Sequence, residues 1–262
     1  MNARPIGVFD SGVGGLSILI ELHKLLPKEN FVFFADQINV PYGEKGKKEL
    51  VGFMYKVVNY LIDKHDIKMF VIACNTATCY TIKELRGKYK FPIVGTEPAI
   101  KPASLSTKTG AIAVISTPAT SRSKTVKRLI KEFCGGVKVL NIGCKNLENA
   151  VEKGSVDNKE VKRLLSRYLM SVKNSKVDQL VLGCTHYPFL KSTIRKMLRP
   201  KVKLVDSGKA IARRTRSLLR THKILNSKRG ETLYFTTGNA KKFEKVASKL
   251  LKRKVFAKKA IL

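Results

Sequence analysis

Short runs of β-branched and other apolar residues recur along this chain at 6–9, 31–35, 69–73, 93–95, 111–115, 137–141, 179–182 and 203–205. Each run is continuous rather than alternating, which is the pattern of a strand covered on both faces. Between them lie stretches at 16–26, 48–64, 77–88, 121–133, 160–173, 190–198 and 209–221 in which apolar positions return every three or four residues, the period of a helix with one buried stripe. Strand and helix alternating almost from end to end predict an α/β fold with mostly parallel sheets. A last strand at 233–236 and helix at 240–251 are expected to complete the first of two lobes.

The two halves echo each other. Residues 70–76 read FVIACNT and 180–186 read LVLGCTH, while 6–11 read IGVFDS and 112–117 read IAVIST. In each case polar residues stand where a strand gives way to a helix, the place at which α/β sheets gather ligands. The expectation is two similar lobes, each a mostly parallel sheet flanked by helices, with the active site in the cleft between them. Residues 1–97 plus 207–262 would form the first lobe and 98–206 the second. The segment Pro98-Ala99-Ile100-Lys101-Pro102 reads as the crossover and Asp206-Ser207-Gly208 as the return.

Composition alters this picture mainly through charge. Fifty-two Lys and Arg face 19 Asp and Glu, a net charge of +33 that attracts nucleic acid, acidic headgroups and anionic small molecules. Basic pairs such as Lys47-Lys48, Lys127-Arg128, Lys162-Arg163, Arg213-Arg214 and Lys241-Lys242 are dispersed along the chain, as on a solvated surface. Charge therefore leaves non-specific nucleic-acid binding open without marking a dedicated site. Five cysteines, an odd number without close metal-type pairs, argue against a disulfide framework or a zinc ribbon and for a reducing compartment. Met1-Asn2-Ala3-Arg4-Pro5 leads into a strand with no apolar signal segment, and no window approaches the ~20 apolar residues of a membrane span. A cytoplasmic protein with no membrane partner is expected.

Chemistry concentrates at two cysteine-centred turns, Cys74-Asn75-Thr76 and Cys184-Thr185-His186. A thiol before small polar donors at a helix N-terminus is expected to have a lowered pKa and to share its backbone N–H groups with a carboxylate. One such cysteine is ordinarily a small buried hydrophobe. Two in equivalent positions suit a reaction that needs a base on one face of a carbon and an acid on the other. Cys79, Cys134 and Cys144 lack such neighbours and read as packing residues.

Asp10 and Ser11 end the first strand ahead of Gly12-Val13-Gly14-Gly15; Asp10 suits proton acceptance or an ammonium, and either residue suits a helix N-cap. The run is not GxGxxG, which argues against a dinucleotide. His186 is placed to polarise or relay protons near Cys184. Glu152, on sequence alone, is a helix-end charge. Pro41-Tyr42-Gly43 is a tight turn that would aim a phenol and free N–H groups into a cleft, or a plain surface turn. Thr117-Pro118-Ala119-Thr120 mirrors the Asp10 turn and would donate to a carboxylate or cap a helix.

Together the segments 7–16, 41–43, 72–78 and 182–188 resemble the glutamate racemases, the cofactor-independent enzymes that make D-glutamate for bacterial peptidoglycan, and the resemblance runs over most of the chain. It implies that Cys74 deprotonates D-glutamate and Cys184 L-glutamate, assisted by Asp10, His186 and an acidic helper, Glu152. It further implies that Ser11, Tyr42, Gly43, Asn75, Thr76 and Thr185, joined by Thr120, hold the substrate's carboxylates and ammonium. No cofactor or metal, a homodimer, and no cell-wall-precursor activator are expected on the same ground. A racemase for aspartate or another acidic amino acid is the alternative. Gln37-Ile38-Asn39-Val40 departs from the family's frequent Thr-Ala-Arg-x ahead of Pro-Tyr-Gly.

Overall fold

The structure, a computed structural model, describes residues 2–228 and 230–262. Its strands are β1 (Ile6–Asp10), β2 (Phe31–Ala35), β3 (Met69–Ile72), β4 (Ile93–Gly95), β5 (Ala111–Ser116), β6 (Lys138–Gly143), β7 (Gln179–Leu182), β8 (Lys203–Val205), β9 (Thr232–Thr236) and β10 (Lys258–Lys259). They form two sheets, ordered β10-β9-β2-β1-β3-β4 and β6-β5-β7-β8, and their pairings are parallel. Four strands of the first sheet repeat the order of the second: β2-β1-β3-β4 corresponds to β6-β5-β7-β8. The sequence echo is this correspondence, β1 with β5 and β3 with β7.

Registers bring the chemistry to one edge of each sheet. Phe9 lies opposite both Phe34 and Ile72, so Asp10 and the turn after β3 share an edge. Ile115 lies opposite Leu182, which does the same for Thr117 and the turn after β7.

Alternation along the central strands sorts side chains into layers. Val8 joins a large apolar cluster that also takes in Ala113, Ile115 and Leu182 of the other sheet, while Phe9 turns to a separate cluster with Phe34, Phe70 and Val57. On β5, Ile112 and Val114 face a third cluster with Val126 and Val181. One core is thus common to both sheets, and each sheet keeps another on its far face. Ser17 Oγ donates to the Thr185 carbonyl at 2.8 Å, and Ser207 Oγ donates to the Glu97 carbonyl at 2.6 Å, tying the return segment to the crossover.

Several elements differ from the expected ones. The helix at 121–133 is broken at Ser123, which is extended and caps the second piece through the Val126 N–H, giving Pro118–Arg122 and Lys124–Phe133. Ile100–Ser106 is a helix within the expected crossover, with Pro102 in its first turn where a missing N–H costs little. Leu147–Glu152 is a short helix without a long enough apolar stripe to announce it. β6 and β8 are sheet edges and half exposed rather than covered on both faces. β10 is two exposed lysines, a charged stub that blunts an edge. Among the described residues Lys68 is the one lysine or arginine that is buried, paired with Glu29 at 2.6 Å, and no helix is long and apolar enough to cross a membrane.

Candidate active site

Cys74 follows β3 as the N-cap of the helix Asn75–Lys88, its Sγ accepting the Ala77 N–H at 3.4 Å, with Ser11 Oγ at 3.8 Å. In the first turn, Asn75 Nδ2 donates to the Thr96 carbonyl at 3.1 Å, and the Thr76 hydroxyl lies 3.0 Å from both Thr117 Oγ1 and Thr120 Oγ1. Cys184 follows β7 in the same manner but leads into a short 3-10 turn, Tyr187–Leu190, rather than an α-helix.

The second thiol's strongest neighbour is therefore a side chain. Cys184 Sγ lies 3.5 Å from His186 Nδ1, and His186 Nε2 lies 2.6 Å from Glu152 Oε1. Glu152 is fixed by the Val13 N–H and by Gln37 Nε2, each at 2.7 Å. The glycines of the first turn make room for this: a Cβ on Gly12 would overlap the Glu152 carboxylate, and one on Gly14 would overlap His186 Nδ1.

Asp10 is fully buried, its Oδ1 accepting the Gly12 N–H and its Oδ2 the Thr185 hydroxyl, both at 2.9 Å. It caps its own turn instead of the following helix, which begins at Leu16 after Gly15. The Tyr42 hydroxyl is committed to Asp36 Oδ2 at 2.7 Å, so the turn presents the ring and backbone, not a free phenol.

Both cysteines line one cavity. Ser11, Tyr42, Gly43, Asn75, Thr76, Thr185 and His186 share its walls, as do Val40, Pro41, Thr117 and Glu148. Asp10, Glu152 and Thr120 stand one layer back, behind Thr185, His186 and Thr117 respectively. The cavity is narrow, about 20 Å³, roughly the room one water needs.

Burial dominates the electrostatics. It pushes the Cys74 thiol well up, with the Asp10 charge adding to it and the Ala77 N–H opposing, and it raises Cys184 against the pull of His186. The expected lowering by helix N-termini is present at Cys74 as that one N–H, but desolvation outweighs it. Burial also raises Asp10 to about 6, against His186 and the bonds from Gly12 and Thr185. For His186 burial disfavours the charged form, yet Cys184 and Glu152 together hold the imidazole well above its ordinary value. For Glu152 burial is likewise overcome, by His186, Gln37 and Val13, and its carboxyl lies below the usual range. The two shifts agree on an imidazolium–carboxylate pair beside Cys184.

The chain and its two-sheet fold have counterparts among known proteins. The family model for Asp/Glu/Hydantoin racemases matches residues 7–215. A glutamate racemase from Herpetosiphon aurantiacus is 39% identical over 248 residues, spanning 94% of this chain and 97% of its own length. The chain belongs to the glutamate racemase family. Solved structures of the family align along the whole fold. A glutamate racemase isoform from Bacillus anthracis aligns with a TM-score of 0.91 at 32% identity, covering 100% of this chain and 99% of that one. A Francisella tularensis glutamate racemase, in complex with D-glutamate, aligns with a TM-score of 0.86 at 30% identity, covering 100% and 98%.

Within this glutamate racemase fold, Gln37, Thr117 and Glu148 were not among the expected site residues. Gln37 opens the segment that departs from the family pattern, and it bridges Glu152 Oε2 to the Thr236 hydroxyl. Thr117 lay in a turn already suspected, and it rather than Thr120 reaches the cavity wall. Glu148 had one available signal: it stands four residues before Glu152, on the same helix face.

Proposed function

We propose that this chain is a cytoplasmic glutamate racemase that interconverts L- and D-glutamate without a cofactor and supplies D-glutamate for peptidoglycan. The observation that carries this reading is that Cys74 and Cys184, from equivalent strand ends of the two sheets, line a single cavity. Cys184 takes the α-proton of L-glutamate; the electron pair left on the α-carbon is shared with the α-carboxylate. The Cys74 thiol then delivers its proton to the opposite face, giving D-glutamate, and the reverse reaction exchanges the roles.

Helpers differ because the two thiols differ in setting. The imidazolium of His186, held by Glu152, stabilises a Cys184 thiolate; when D-glutamate is the substrate, Asp10 first takes the Cys74 thiol proton, so that Cys74 enters as the thiolate base and Cys184 as the acid. Ser11, Asn75, Thr76 and the Thr185 N–H offer donors to the substrate's carboxylates, while Gly43 and Tyr42 contribute backbone and ring. Thr120 acts through Thr76 and Thr117. Asp10, one layer back, accepts the Thr185 hydroxyl proton and so turns the Thr185 oxygen toward the ammonium. The lobes, 1–97 with 207–262 and 98–206, must part to admit an amino acid into so narrow a space. A homodimer is part of the proposal; the dispersed surface charge raises the encounter rate with anionic substrate and gives salt-sensitive, non-specific nucleic-acid contact.

Circular dichroism of L-glutamate and L-aspartate solutions with the purified protein, in buffer free of pyridoxal phosphate, tests the reading. Loss of the glutamate signal is expected. No change with glutamate, or a faster loss with aspartate, would overturn it.

A further inference from the structure

Glu148 stands in the first turn of the helix Leu147–Glu152, 8% exposed, and its Oε2 is buried with no hydrogen-bond partner among the described residues. It lines the cavity that holds both thiols and also an outer groove bounded by Gly43, Lys45, Arg122 and Lys145. Gly43 and Glu148 are the residues common to both, so they form the neck between groove and cavity. A carboxylate left there without a cation in contact would be costly, whereas a neutral carboxyl has an O–H that needs an acceptor.

We propose that Glu148 is a substrate-binding residue of this chain, donating a hydrogen bond from its carboxyl to the distal carboxylate of a dicarboxylic amino acid held with its α-carbon between the thiols. The assignment rests on the racemase reading and adds to it the group that recognises the far end of the substrate. Charges around the neck fit the arrangement. Burial raises the Glu148 pKa, Glu44 and Glu152 push the same way, and His186 opposes them. Lys45, which also pairs with Glu49, Arg122 and Lys145 line the approach and draw an anion toward the donor. Binding should therefore weaken as pH rises and Glu148 ionises, since a second carboxylate would then face the substrate's own.

Calorimetric titration of D-glutamate into the whole protein, alongside racemisation kinetics, tests this. Glu148→Ala should weaken binding by ~10-fold or more, the worth of a hydrogen bond to a charged group, and raise KM with little change in kcat. Glu148→Gln keeps a donor of the same shape, so it should bind within a few-fold of wild type at the acidic end of the titration, where Glu148 carries its proton, and lose the weakening at higher pH. If Glu148→Ala binds D-glutamate as wild type does while wild type racemises it, the assignment fails and the racemase reading stands. If Glu148→Gln loses as much as Glu148→Ala, the ionised form is the working one and the donor assignment is wrong. A wild-type protein that neither binds nor racemises glutamate would overturn both.

Discussion

His186 Nε2 lies 2.6 Å from Glu152 Oε1 in a nearly closed interior, and the imidazole's other nitrogen faces the Cys184 sulfur. Glu152 therefore sets both the charge and the orientation of the group that stabilises a thiolate. Replacing it by Gln keeps the shape and removes the charge. Glu152→Gln should lower kcat/KM by roughly 10- to 100-fold, the range for a lost hydrogen bond between charged partners. Because the two enantiomers have equal free energy, the loss must be the same in both directions. The alkaline limb of the pH profile should move to lower pH, as His186 gives up its proton more readily without the carboxylate. An unchanged limb would detach Glu152 from His186.

Asp10 predicts a conflict between stability and activity. Its carboxyl is raised to about 6 by burial, against about 3.9 in an unfolded chain. A raised acid favours the folded state below the lower value, and that contribution is lost as pH rises through the higher one. Above about pH 6 the buried charge thus costs the fold ~2–3 kcal/mol. Asp10→Asn should be more stable than wild type in urea at about pH 8, match it at about pH 4, and lose ~100-fold or more in turnover. Equal stability of the two proteins at both pH values would remove the basis for this argument.

How much of this was legible beforehand follows from what each residue announces. Cys74 and Cys184 end continuous apolar runs, and such runs survive as β3 and β7 because strands covered on both faces tolerate little else. The Asp10 turn is marked by its glycines. Glu152 was a helix-end charge until the resemblance gave it a role, since its partners Val13, Gln37 and His186 are far away in sequence. Gln37 went unrecognised for the same reason, its partners Glu152 and Thr236 being remote in the chain, while Glu148 was marked only by its spacing of four from Glu152 in a helix too short to be expected. The break at Ser123 was hidden because residues 121–125 are all polar and carry no periodic signal, so the extended backbone and cap hydrogen bond at Ser123 had no mark in the pattern.

Gly14 offers a test of the close approach around the second thiol. A methyl there would meet His186 Nδ1 and Thr185 Oγ1, both held by partners of their own. Gly14→Ala should cost ~1–3 kcal/mol of stability and ~100-fold in kcat. Gly52, in the helix Lys47–His65 with open space around it, is the control. Gly52→Ala should stabilise by ~0.5–1 kcal/mol and leave kcat alone. Thermal melts and steady-state rates on both variants decide the matter, and an active Gly14→Ala protein would contradict the packing described.

The central claim is that one sulfur removes the α-proton and a different sulfur supplies the next. It is tested most directly by following L-glutamate in deuterated water at early conversion, with mass spectrometry of both separated enantiomers. Two opposed thiols predict D-glutamate that carries solvent deuterium at the α-carbon in essentially every molecule, while the remaining L-glutamate keeps its protium; Cys74→Ser and Cys184→Ser each form no D-glutamate. D-glutamate that retains the substrate's own α-proton, or full turnover by either serine variant, would contradict it.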